Sequence, residues 1–168
     1  MAAPVPQSAQ ESTGWYHGPR SIDNNTTNQP YLYLNVVGAP PQPAGAFAEV
    51  NTFDSQQDAE WRRVLVPNSG GAYAFRSAGT SNWFALSIQN NLARDGQPVV
   101  QWWYSETNPH QQWKIYKEFS GGAVQYINPI TNRCLAVANA ADGTISPRDR
   151  VIIWTCRDQL DQRWCMQD

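Results

Sequence analysis

Four neighbouring side chains, Gln101, Trp102, Trp103 and Tyr104, set flat aromatic rings beside a polar amide, and His110 and Gln111 follow within ten residues. Large, stiff rings supply core at low entropic cost, and they also make platforms for ligands. Adjacent residues of a strand point to opposite faces, so Trp102 and Trp103 are not both core, and at least one ring reaches the surface. The residues that chemistry would need are missing. His17 and His110 are the only histidines, and no Ser or Cys sits in a nucleophile motif that would pair with them. The 14 Asp and Glu fall mostly in turns such as "ARDG", "AADG" and "CRDQ", where Asp is expected for local hydrogen bonding. There is no His/Cys cluster with zinc spacing, and Asp142 to Asp149 lacks the calcium-loop pattern. The sequence therefore predicts a non-catalytic protein with no metal and no cofactor.

The elements that must hold those rings are short. Runs such as "AVQYI", "CLAVA", "RVIIW" and "WKIYK" alternate, and clusters of Gly, Asn, Pro and Asp separate them. No segment keeps a helical period over ten or more residues, so the chain reads as all-β. Its 168 residues suit one domain. A net charge of −2 with 15% charged residues gives no basic footprint for nucleic acid. No apolar run approaches the roughly 18 residues that span a bilayer. Residues 1–14 are small, polar and proline-bearing, and read as a flexible tail.

A repeat organises the rest. Trp61, Trp113 and Trp164 each follow a polar turn, at spacings of 52 and 51. A slide of 51 lays Gly70–Ile88 on Gly121–Asn139, and Val99–Ser105 close to Val151–Arg157, with Trp103 on Trp154. Three units result, at approximately 15–66, 67–117 and 118–168. Each buries too little alone, so the three must share one core, and a closed pseudo-threefold barrel also removes exposed sheet edges.

The turn before each tryptophan carries a motif: Gln111-Gln112-Trp113, Gln162-Arg163-Trp164 and, degraded, Ala59-Glu60-Trp61. Three such turns at one period resemble the ricin B-chain type of β-trefoil lectin over residues 15–168. The resemblance implies a β-trefoil with Trp in the shared core and Gln supporting a shallow sugar pocket in each repeat. It also implies a disulfide between Cys134 and Cys156. The slide puts Trp83 and Ser105, and Tyr31 and Phe53, at the equivalent positions of the other repeats, where aromatic packing would replace the staple. Cys165 is left over. A disulfide implies an oxidising compartment, hence a secreted protein.

In that family the pocket combines an Asp two residues after the first Cys position, an aromatic platform before the second, and Asn-Gln in the turn. The third repeat has Ala136 for the Asp, Trp154 as platform, then Asp161 and Gln162. The second has Ala85, or Ser87 if the loop is gapped, followed by Gln101, Trp102 and Trp103, then His110 and Gln111. The first has Tyr33 or Asn35, with Asn51 as platform and Asp58-Ala59, and reads as structural. The carboxylate is missing from all three. The expectation is carbohydrate recognition centred on the second repeat, with glycan partners and Trp154 as the next platform, the domain standing alone or serving a larger host polypeptide as its targeting module. Two alternatives stand beside it. One is a subunit of a secreted toxin, because the cell-binding subunits of cytolethal distending toxins resemble this family and use an aromatic patch. The other is a trefoil protease inhibitor presenting the proline-rich segment Val37 to Ala46.

Overall fold

The computed structural model describes residues 16–17, 20–21, 32–39, 41–52, 60–77, 83–140 and 144–165. Thirteen strands follow in order: β1 (Tyr16–His17), β2 (Arg20–Ser21), β3 (Leu32–Val36), β4 (Ala48–Thr52), β5 (Glu60–Leu65), β6 (Tyr73–Ser77), β7 (Phe84–Ile88), β8 (Val99–Trp103), β9 (Lys114–Glu118), β10 (Ala123–Asn128), β11 (Arg133–Val137), β12 (Val151–Trp154) and β13 (Trp164–Cys165). Among the described residues, only short 3₁₀ turns interrupt them. The all-β expectation holds.

Strand pairing, with the chain link from β1 to β2, makes a ring of two sheets. β1 pairs β5, β5 pairs β6, and Tyr73 bridges to Trp113 at the start of β9. β9 pairs β10, β10 pairs β13, and β13 pairs β2, which returns to the beginning. Three hairpins, β3–β4, β7–β8 and β11–β12, stand on this ring, each joined to it through β2, β6 or β10. Leu34, Leu86 and Leu135 point from the hairpins into a core shared with Phe75, Tyr126 and the three repeat tryptophans. Burial pushes the Tyr126 phenol up to about 12.

Trp61, Trp113 and Trp164 are all 0% exposed, and each indole N–H donates to a leucine carbonyl: Leu34 at 3.0 Å, Leu86 at 3.3 Å and Leu135 at 3.1 Å. This bond gives the true equivalence of the repeats and corrects the uniform slide. Leu34, Leu86 and Leu135 lie opposite Val50, Gln101 and Ile153. The next residue on the returning strand is Asn51, Trp102 or Trp154, so Trp102, and not Trp103, is the counterpart of Trp154. Two positions after each leucine's predecessor stand Asn35, Ser87 and Ala136, which selects the gapped reading of the second repeat over Ala85. The counterparts of Cys134 and Cys156 there are Ala85 and Tyr104, and not Trp83 and Ser105. In the first repeat the counterpart of Cys134 is Tyr33, in place of Tyr31. Tyr31, Phe53, Asp58, Ala59 and the 1–14 tail lie outside the described residues.

The disulfide Cys134–Cys156 is formed, with Cα atoms 5.0 Å apart, and Cys165 is a buried thiol. In the second hairpin an aromatic clip replaces it: the Phe84 ring meets Trp103 edge-on at 4.5 Å.

Candidate functional site

The β7–β8 hairpin and two loops enclose a cavity of about 270 Å³. One loop is the proline-rich segment. Its Gly45 N–H donates to the Gln101 carbonyl at 2.8 Å, and the Gln101 N–H donates back to Ala46 at 2.9 Å. The Gln101 side-chain amide donates to the carbonyls of Gln42 and Pro43 at 2.9 and 2.8 Å. Gln42 is itself buried and donates to Gly38 at 2.9 Å. The segment is thus laced down as a pocket wall. Gly45 has φ +89°, a conformation that L side chains rarely adopt, and the position of a Cβ there would lie 3.6 Å from the Trp102 ring.

Trp102 forms one side of the cavity and is 47% exposed. Ser87, at the position where the resemblance places a carboxylate, also lines it. Ser87 is 2% exposed, and a serine hydroxyl can both donate and accept a hydrogen bond. Asn90 and Asn91 line the rim in a left-handed turn, at φ 55° and 54°, a region where asparagine is one of the few tolerated residues. Neither side-chain amide bonds to the described residues. Asn108 completes the rim, and its side-chain oxygen accepts the His110 backbone N–H at 3.0 Å. No charged side chain among the described residues lines the cavity. Among the described residues no group of three or more His, Cys, Asp or Glu is placed to hold a metal ion.

No protein-family model and no curated protein matches the sequence. Solved structures do. The designed threefold-symmetric protein ThreeFoil superposes at TM-score 0.74 with 22% identity, over 92% of this chain and 98% of that one. A ricin B-like lectin of Macrolepiota procera, solved in complex with lactose, gives 0.64 and 19%, over 90% and 96%. The cytolethal distending toxin of Haemophilus ducreyi gives 0.62 and 12%, over 99% and 88%. A mosquitocidal holotoxin also matches, and there the chain spans 17% of the longer polypeptide. The chain is a β-trefoil.

The trefoil scatters the residues singled out from sequence. Trp102 lies in the cavity. Trp103 lies outside it, half-exposed, between Phe84 and the exposed Trp83, whose ring centroid is 6.0 Å away. Tyr104 goes with Trp103, with the Arg76 guanidinium 3.9 Å over its ring. Burial raises the Tyr104 phenol, against the pull of Arg76.

Gln101, Gln111 and Gln162 are each 0% exposed, and they hold the trefoil's loops from beneath. Gln111 donates to the Trp103 carbonyl at 2.8 Å and accepts the Ser105 N–H at 3.0 Å. Gln162 repeats this at Thr155 and Arg157, both at 3.0 Å. Asp161 is buried in an ion pair with Arg157 at 2.8 Å. That pair stations Arg157 over the Trp154 ring, 5.3 Å from its centroid, while Ala136 beside Trp154 has no polar atom to offer. His110 is half-buried, and burial holds its pKa below the usual histidine value.

Sequence reasoning missed Gly45, Asn90, Asn91 and Asn108. The available signals were the Asn-Asn pair after a strand and the Asn-Pro before the Gln-x-Trp turn, both ordinary turn signatures.

Proposed function

We propose that this trefoil is a non-catalytic carbohydrate-recognition module that takes one neutral sugar ring in the second-repeat cavity. Trp102 stacks on the sugar's C–H face, while Ser87, Asn90, Asn91 and Asn108 bond its hydroxyls. The observation that carries this reading is a half-exposed indole beside a cavity lined by asparagine amides and a serine. The cavity is slightly below the usual small-molecule range of about 300–1,000 Å³, which suits one ring and no more. The lactose-bound fungal lectin of the same fold supports it. A pyranose of about 12 non-hydrogen atoms at about 0.3 kcal/mol each gives a dissociation constant of millimolar order. We place the domain at residues 15–168, and the disulfide supports secretion as its setting.

The test is a glycan and polysaccharide screen followed by calorimetry with Trp102→Ala and Trp154→Ala. Selective binding lost in Trp102→Ala alone, with a melting temperature within a few degrees of wild type, supports the reading. Binding that survives Trp102→Ala overturns it.

A second reading, a toxin accessory subunit that docks a receptor or partner, draws on a different observation. Trp83 and Trp103, 63% and 50% exposed, form an aromatic patch outside the cavity. It predicts that Trp83→Ala removes cell-surface binding while sugar binding persists, and a wild-type protein that binds no cells contradicts it.

A further inference from the structure

A Ser-Gly-Gly-Ala turn occurs twice at the junctions between repeats, as Ser69–Ala72 leading into β6 and as Ser120–Ala123 leading into β10. In the first copy the Ser69 hydroxyl donates to the Val66 carbonyl at 2.7 Å and accepts the Ala72 N–H at 2.9 Å, which braces the turn. Gly70 and Gly71 both take the left-handed conformation, at φ +69° and +96°, and their N–H groups donate to no described residue. Consecutive backbone N–H groups left unclaimed in a turn make a concavity that suits an anion.

What faces the turn differs between the copies. Lys114 on β9 reaches over the first, so that a Cβ on Gly70 would lie 3.2 Å from the ammonium nitrogen. The matching residue of the third repeat, one past Trp164, is Cys165, and a Cβ on Gly121 or Gly122 would meet nothing within 4 Å. Between the first turn and β9 lies a cleft of about 470 Å³, whose charged lining residues are Lys114, Lys117 and Glu118. Lys117 is held by Asp158 at 3.1 Å, whereas Lys114 enters none of the ion pairs among the described residues. The ammonium and the two glycine N–H groups offer three donors, which match the three terminal oxygens of a sulfate or phosphate ester; a carboxylate has only two. The cleft is larger than such a group, and Tyr116, 57% exposed, lines the remainder. It shares no lining residue with the second-repeat cavity.

We propose that this cleft is a second binding site, for a sulfate or phosphate group held by the Lys114 ammonium and the Gly70 and Gly71 N–H groups. The Glu118 carboxylate opposes the anion and weakens its binding.

The experiment is ¹⁵N chemical-shift mapping of the full chain at constant ionic strength, with inorganic sulfate, inorganic phosphate, galactose 6-sulfate, glucose 6-phosphate and acetate as probes. The expected result is saturable movement of the Gly70 and Gly71 amides at millimolar order, with Gly121 and Gly122 unmoved because their turn faces no lysine. Lys114→Gln should weaken binding about fivefold or more and Glu118→Gln should tighten it, both with melting temperatures within a few degrees of wild type. Tighter binding of the esters than of the bare ions supports a sulfated or phosphorylated molecule as the ligand, and the reverse order supports a free ion. No saturable shift with any sulfate or phosphate overturns the proposal. Equal movement at both Ser-Gly-Gly turns, an affinity that survives Lys114→Gln, or acetate bound as tightly as sulfate overturns it too.

Discussion

At the scale of residues, one step along β8 separates two roles. Trp102 forms a cavity wall, whereas Trp103 is held edge-on by Phe84 at 4.5 Å. Trp102→Ala should therefore lose sugar binding at least tenfold while shifting the melting temperature by only a few degrees, since the ring is half-exposed. Trp103→Ala should do the reverse, keeping affinity and costing about 1 kcal/mol of stability through the lost aromatic pair. Calorimetry and thermal melts on the two variants separate these outcomes. No ionisable side chain among the described residues lines the cavity, and burial lowers the pKa of nearby His110, so its ring is neutral at physiological pH. Affinity should be flat from about pH 7 to 8.5. A titration curve with a midpoint in that window would implicate a group outside the cavity lining. The sequence showed that an aromatic cluster was there, because strand alternation forbids two adjacent core tryptophans. It did not show which ring faced the cavity, because that depended on the register of the hairpin.

At the scale of elements, the register was hidden by loops that compensate one another. The connection from β6 to β7 is two residues longer than that from β10 to β11, whereas the β11–β12 loop is longer than the β7–β8 loop. Lengthening a loop costs little closure entropy, so such changes accumulate freely. The slide by 51 matches both ends of the repeat and drifts between them, which is why Trp83 and Ser105 took the places that Ala85 and Tyr104 occupy. The indole bond to Leu34, Leu86 or Leu135 restores the count. The two hairpins also differ in how they are held. Cys134–Cys156 closes a loop at a sequence separation of 22 and should contribute about 3 kcal/mol. Denaturant melts of Cys134→Ser/Cys156→Ser against wild type measure this. Sugar affinity should be unchanged, because the cavity belongs to the β7–β8 hairpin. A loss of binding in that variant would show the hairpins to be coupled.

At the scale of the whole molecule, fold and site make opposite demands on tryptophan. Trp61, Trp113 and Trp164 are fully buried and tie each hairpin to the ring of strands, so Trp113→Ala should cost about 3–5 kcal/mol and leave little folded protein at 37 °C. The fold was legible because three such residues at one period are a strong constraint on a chain with no helical segments. The site was less so. Its Gln-x-Trp glutamines act structurally, closing the turns at Trp103–Ser105 and Thr155–Arg157. The polar groups that meet the cavity come instead from an Asn-Asn turn and an Asn before a proline, which any loop could carry.

The most direct test of the central claim is chemical-shift mapping of the ¹⁵N-labelled protein titrated with glucose, galactose and N-acetylglucosamine. The account predicts shifts in the Trp102 indole N–H and in the side-chain amides of Asn90, Asn91 and Asn108, with the Trp83, Trp103 and Trp154 indoles unmoved. Shifts confined to Trp83 and Trp103, or to Trp154, would place recognition elsewhere on the trefoil and contradict it.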